Sequence, residues 1–157
     1  MMDIDAAQAN RLRESRPGFR WNGVEHAPYK EDGAAPFKAI SRQTLFKEAD
    51  LGCELRYFEM DAGGYSTLER HEHMHAVMIL RGHGKCLLGD TVRDVKPHDL
   101  ITIPAWIWHQ FRATAGEPMG FLCMVNHDRD RPQLPTAEQR AALAADPKIA
   151  AFLEGNP

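Results

Sequence analysis

Cysteine is scarce in this chain: Cys53, Cys86 and Cys123 are odd in number, widely spaced and form no C-x-x-C pair. That pattern excludes a disulfide framework and a thiolate zinc site, and leaves the three as small apolar side chains for a core. No apolar run approaches the roughly 18 residues that cross a bilayer. The opening stretch, MMDIDAAQANRLRE, is acidic and polar where an export signal is basic and then apolar, so a cytoplasmic protein away from membranes is expected. Excess positive charge is absent too: the formal charge is -3, which gives no electrostatic footprint for nucleic acid. Neither an internal repeat nor a low-complexity tract interrupts the 157 residues, a length that suits one domain with a core and is too short for two.

Three regions differ in texture. Residues 1–36 form an N-terminal arm: a short helix is expected over residues 5–15, then RPGFRWNGVEHAPYKEDGAAP, broken by Gly and Pro, with Phe19, Trp21 and Tyr29 as anchors. Residues 37–127 alternate short runs of β-branched, aromatic and aliphatic residues with turn signals every eight to twelve positions, the pattern of a sandwich or barrel. Strands are expected at 37–46, 52–60, 65–71, 75–81, 84–89, 91–95, 100–103, 108–113 and 119–126, with Ala62-Gly63-Gly64 as one of the turns between them. The fold class is therefore all-β and antiparallel. In residues 128–157 the capping-box sequence from Thr136 to Gln139 opens a helix running to about Ala145, and Pro147 starts a second, over 148–153, with Ile149, Phe152 and Leu153 on its apolar face. This C-terminal tail packs on the barrel or on a partner subunit.

What is abundant is histidine in one place. GGYSTLERHEHMHAVMILRGHG, residues 63–84, holds four of the chain's eight histidines within thirteen positions. On a continuous strand Glu69, His71, His73 and His75 would face one way, but at about 3.3 Å per residue they would span roughly 20 Å. One ion holds two donors no more than about 4 Å apart. If this segment binds a single ion, the chain must bend between His71 and His75, with Glu72, His73 and Met74 as the turn, although that tripeptide has no Gly, Pro, Asn or Asp to signal one. Histidines on a hydrated surface strand, or hydrogen-bonded to one another inside the barrel, are the competing readings.

The intervals settle on a resemblance. Gly63, five residues, Glu69, one, His71, three, His75, six, Gly82 meets every spacing of the first motif of the cupin superfamily, with Glu, His, His where that family usually has His, His, Glu. The second motif is similar to His98, Pro104, Trp106, His109 and Ala113, which keep the proline and the metal histidine and replace both glycines and the asparagine. The fifteen residues 83–97 between the motifs match the short spacing of many microbial cupins.

The resemblance implies a jelly-roll barrel over residues 37–127 that holds one divalent transition metal, Fe, Mn, Ni or Zn, through Glu69, His71, His75 and His109, with His73 as an alternative ligand. Four protein ligands on a six-coordinate ion leave two positions for a chelating substrate, water or dioxygen. Trp106, Trp108 and Phe111 flank His109 in PAWIWHQF, and Tyr57, Val77, Ile79, Phe111 and Phe121 are the expected substrate-binding wall. The expected function is a metal-dependent, dioxygenase-like enzyme acting on a small chelated organic molecule. An isomerase or lyase on a sugar acid or keto acid, or a non-catalytic ligand-binding barrel, are the alternatives. A homodimer is the expected assembly.

Overall fold

The computed structural model describes residues 12–30 and 35–155. Its strands in chain order are β1 (Ser15–Arg16), β2 (Arg20–Trp21), β3 (Ala27–Pro28), β4 (Lys38–Glu48), β5 (Cys53–Tyr65), β6 (His75–Arg81), β7 (Gly84–Leu88), β8 (Thr91–Val95), β9 (Leu100–Ile103), β10 (His109–Ala113) and β11 (Met119–Asn126). Two helices follow, α1 (Ala137–Leu143) and α2 (Pro147–Glu154). β1 and β2 pair as a small separate hairpin, and the rest form one antiparallel sheet in the order β8-β7-β10-β5-β11-β6-β9, with β4 on β5 and β3 on β4. The arrangement is the antiparallel all-β class that the alternation predicts, curled into the barrel that the resemblance implies.

Period-two alternation builds the interior. Arg56 and Phe58 of β5 stand opposite Cys123 and Phe121 of β11, which in turn stand opposite Val77 and Ile79 of β6. These inward positions join Met60, Ile103, Phe111 and Val125 in the main core. The opposite face of β7 carries Leu87, which with Leu68 receives Ile149, Phe152 and Leu153 from α2. Both helix starts follow their sequence signals. Thr136 and Gln139 make the reciprocal capping box, and Asp146 caps α2 with Pro147 in its first turn. The arm packs across the outer face of β5: Phe19 stacks on Tyr57 at 5.7 Å, and Trp21 tilts against the same ring at 5.2 Å.

Three expectations change. Ala62-Gly63-Gly64 is no turn between strands, because β5 runs through it to Tyr65. Gly63, at φ +72°, bends the strand without reversing it, and its amide bonds the carbonyl of Thr114. β5 thus leaves β11 and reaches β10, with Tyr65 opposite Arg112 on one side and Lys38 of β4 on the other. The strand expected at 65–71 is consequently an irregular segment beside β10, tied by Ser66 and by a reciprocal backbone pair between Glu69 and His109. The helix expected over residues 5–15 lies mostly outside the described residues, and its last residue, Ser15, belongs to the β1–β2 hairpin.

Candidate metal centre

The three histidines His71, His75 and His109 come together although they lie on three different pieces of backbone. His109 opens β10, His75 opens β6, and His71 ends the irregular segment between them. One ring nitrogen from each lies within 4.8 Å of the other two, and their ring centroids are 4.8–5.0 Å apart. The bend between His71 and His75 exists, and its cause lies far away in the chain. Asp130 accepts hydrogen bonds from the amides of Glu72 (2.8 Å) and His73 (3.0 Å) and from the His73 ring (2.7 Å). Its carboxylate does the work that a local Asp or Asn does in an ordinary turn. Burial opposes ionisation of Asp130, but those bonds outweigh it and hold the carboxyl below its ordinary range.

Hydrogen bonding fixes which nitrogen two of the rings, His71 and His109, offer. The Nδ1 of His71 donates to the carbonyl of His73 at 2.6 Å, and that of His109 donates to the carbonyl of Ile107 at 2.9 Å. A carbonyl only accepts, so Nδ1 carries the proton and Nε2 presents a bare lone pair. The Nε2 atoms of His75 and His109 are buried without a hydrogen-bond partner among the described residues. Unpaired buried acceptors are costly, and a divalent ion satisfies all of them together. The donor set therefore fits a metal: three imidazoles suit Fe, Mn, Ni or Zn. Burial first, and then neighbouring imidazoles, push the pKa of His71 down to about 4 and that of His75 further; burial also lowers that of His109. All three stay neutral, the form that binds metal, at ordinary pH.

Glu69, expected as the fourth ligand, is buried and lines the same cavity, but its carboxylate is engaged by Lys30 Nζ at 2.5 Å, outside the group formed by the three histidines. His73 stacks flat on His71 at 3.6 Å and is held by Asp130. The cavity that the histidines open into has a volume of about 210 Å³. Of the expected wall, Phe121 lines it. Val77, Ile79 and Phe111 belong to the packed core that supports it. Tyr57 is on the other face of β5, where Phe19 and Trp21 cover its ring and its hydroxyl donates to Glu59 at 2.7 Å. The tryptophans are also elsewhere: Trp106 is exposed, and Trp108 lies under the Arg70 guanidinium at 4.5 Å.

Sequence reasoning passed over the cavity's remaining chemistry. Lys30, Arg42, Arg56 and Arg129 line it, as does Cys123, whose Sγ sits 3.1 Å from His75 Nδ1 and 3.4 Å from Arg56 Nη2. Burial raises the Cys123 thiol above its ordinary pKa, and the Arg56 charge works in the opposite direction. A signal was present: Arg56 shares the strand face of Phe58 and Met60, and a charge at an inward position is rarely kept without use.

A cupin domain model matches residues 56–125. The chain is 56% identical over 144 residues to a Rhodospirillum rubrum protein named 1-methylthio-D-xylulose 5-phosphate methylsulfurylase, covering 92% of each. It is 34% identical over 77 residues, 49% of this chain and 34% of the other, to the 5-nitrosalicylic acid 1,2-dioxygenase of a Bradyrhizobium species. Among solved structures, a cupin 2 conserved barrel domain protein from Rhodopseudomonas palustris superposes with a TM-score of 0.86 at 58% identity, over 90% of this chain and 98% of that one.

Proposed function

The chain belongs to the cupin family, and from that premise we propose that it is a metal-dependent enzyme that cleaves the methylthio group from a 1-methylthio ketose phosphate. One observation carries the reading: the convergent histidines and the Cys123 thiol share a single cavity, so a metal site and a sulfur acceptor face the same ligand. The resemblance to the Rhodospirillum rubrum protein along nearly the whole chain supports the substrate class.

His71, His75 and His109 would hold the metal, which when bound supplies Lewis-acid polarisation of a substrate carbonyl. The protein's own groups account for the rest. Asp130 and the carbonyls of His73 and Ile107 hold the corner and two of the rings in place. Cys123 is positioned to accept the methylthio sulfur. Its sulfur would form the new S–S bond, and the carbon next to the ketone would keep the electron pair of the broken C–S bond as an enolate, which a proton then quenches. A small external thiol must release the methylthio group for a second turnover. Phe58 and Phe121 keep the wall apolar around that carbon.

The test is direct. Purified protein supplied with Fe, Mn, Ni or Zn, a small thiol and 1-methylthioxylulose 5-phosphate should lose the methylthio group by mass spectrometry, and Cys123→Ser should abolish the loss while retaining metal. Dioxygen uptake with 5-nitrosalicylate and no reaction of the sugar phosphate would replace this reading with the dioxygenase one, which the shorter Bradyrhizobium match supports.

A further inference from the structure

We propose that Arg42 and Arg56 form an anion subsite that receives the phosphate monoester of the ligand, an inference that rests on the reading above. Among the described residues the cavity wall holds four cationic side chains and one carboxylate, Glu69. Two of the cations are already spent. Lys30 pairs with Glu69, and Arg129 pairs with Glu54 at 3.3 Å while donating to the carbonyls of Asn126 and His127. Among the described residues the Arg42 side chain makes no hydrogen bond or ion pair, and the Arg56 guanidinium bonds only the Cys123 sulfur, its Nε being buried with no partner. A guanidinium withdrawn from water without an anion costs stability, and a bound anion restores what burial removes.

Register places the two together. In the β4–β5 pairing Arg42 lies opposite Phe58 and Thr44 opposite Arg56, so the two arginines share the inward face as diagonal neighbours, with Cα atoms about 7–8 Å apart. The Arg56 guanidinium packs over the Phe58 ring at 4.9 Å, which fixes its plane. Two planar forks on one face of the same cavity suit the oxygens of a dianionic phosphate, each able to bind in bidentate fashion. Arg56 touches Cys123, and Cys123 touches His75, so two short contacts connect this subsite to the metal-binding rings. A ligand that presents a phosphate at one end and a carbonyl near the other would bridge them. The subsite therefore selects a short phosphorylated ketose over its neutral sugar.

The experiment titrates metal-loaded protein with xylulose 5-phosphate, xylulose and salicylate by calorimetry. The wild type should bind xylulose 5-phosphate well above the other two. Arg42→Met should weaken that binding by roughly 10–100-fold, the loss expected when a charged hydrogen-bonding partner is removed, with metal content unchanged and the melting temperature not lowered. Arg42→Lys should recover part of the loss. Unchanged binding of xylulose 5-phosphate in both Arg42→Met and Arg56→Met, or a wild type that prefers salicylate, overturns the subsite. If the wild type binds xylulose 5-phosphate through Arg42 but leaves 1-methylthioxylulose 5-phosphate intact, the methylthio reading fails and the subsite stands.

Discussion

His98 and Trp106 hold φ of +74° and +63°, a region that costs an ordinary L-residue about 1–2 kcal/mol. They occupy the two positions where the second cupin motif has glycine, so the backbone keeps the glycine conformation without the glycine. At Trp106 the cost has a structural return: its amide donates to the His71 carbonyl at 2.7 Å and ties the loop before His109 to the irregular segment that carries His71. His98 sits in an exposed turn. His98→Gly should therefore raise stability by up to about 1 kcal/mol, and His98→Val should lower it by about 1–2 kcal/mol; chemical denaturation of the two variants checks the sign. Among the ligands, His109→Ala should abolish tight metal binding, measured by metal content after dialysis. Glu69 is a different case, because its carboxylate accepts from Lys30.

At the scale of elements, two parts outside the matched domain, residues 56–125, support the site. The first is the segment carrying Asp130, whose three accepted hydrogen bonds set the corner between His71 and His75. Asp130→Ala should leave a folded barrel that binds metal roughly 10–100-fold more weakly, as seen by competition with a chelating dye, because ligand rings lose their outer support. The second is α2, which lays Ile149, Phe152 and Leu153 on Leu68 and Leu87, while Arg112 donates to the Leu153 carbonyl at 2.8 Å from beneath. Leu68 directly precedes Glu69, so the helix also supports the segment that leads to the histidines. Phe152→Ala should cost about 3–5 kcal/mol in urea unfolding, the usual result of emptying a buried aromatic site.

For the whole molecule the cluster of neutral histidines sets a pH dependence. In the folded chain His71 titrates near 4 against 6.5 when unfolded, and His75 and His109 are lowered as well. As pH falls below 6.5 the unfolded chain takes up protons that the folded chain refuses, so unfolding becomes easier. The metal-free protein should lose melting temperature steadily between pH 6.5 and 4. Saturating divalent metal should raise the melting temperature at pH 7, and that increment should shrink over the same window as protons compete for the imidazoles.

How much of this the sequence discloses depends on the range of the forces involved. Alternation is a property of neighbouring residues, so the all-β class, most strands and both C-terminal helices were legible, as were His71, His75 and His109 through their motif spacing. The bend through Gly63 was not, because a glycine with positive φ can reverse a chain or only redirect it, and the partner strand decides which. The turn at Glu72–His73 was called for by a single-ion site, but what holds it was not legible, because the hydrogen-bond acceptor, Asp130, lies 57 positions beyond His73. Tyr57 could not be assigned a face without knowing which side of β5 the arm covers. The sequence by itself determined the antiparallel all-β class, since that follows from local periodicity, and its motif intervals implied the barrel and the histidine donors through the family resemblance. Only the tertiary structure decided that Lys30 takes Glu69, that Cys123 stands against His75, and that Arg42 and Arg56 meet no carboxylate among the described residues, because such pairings join residues that only the closing of the sheet brings together.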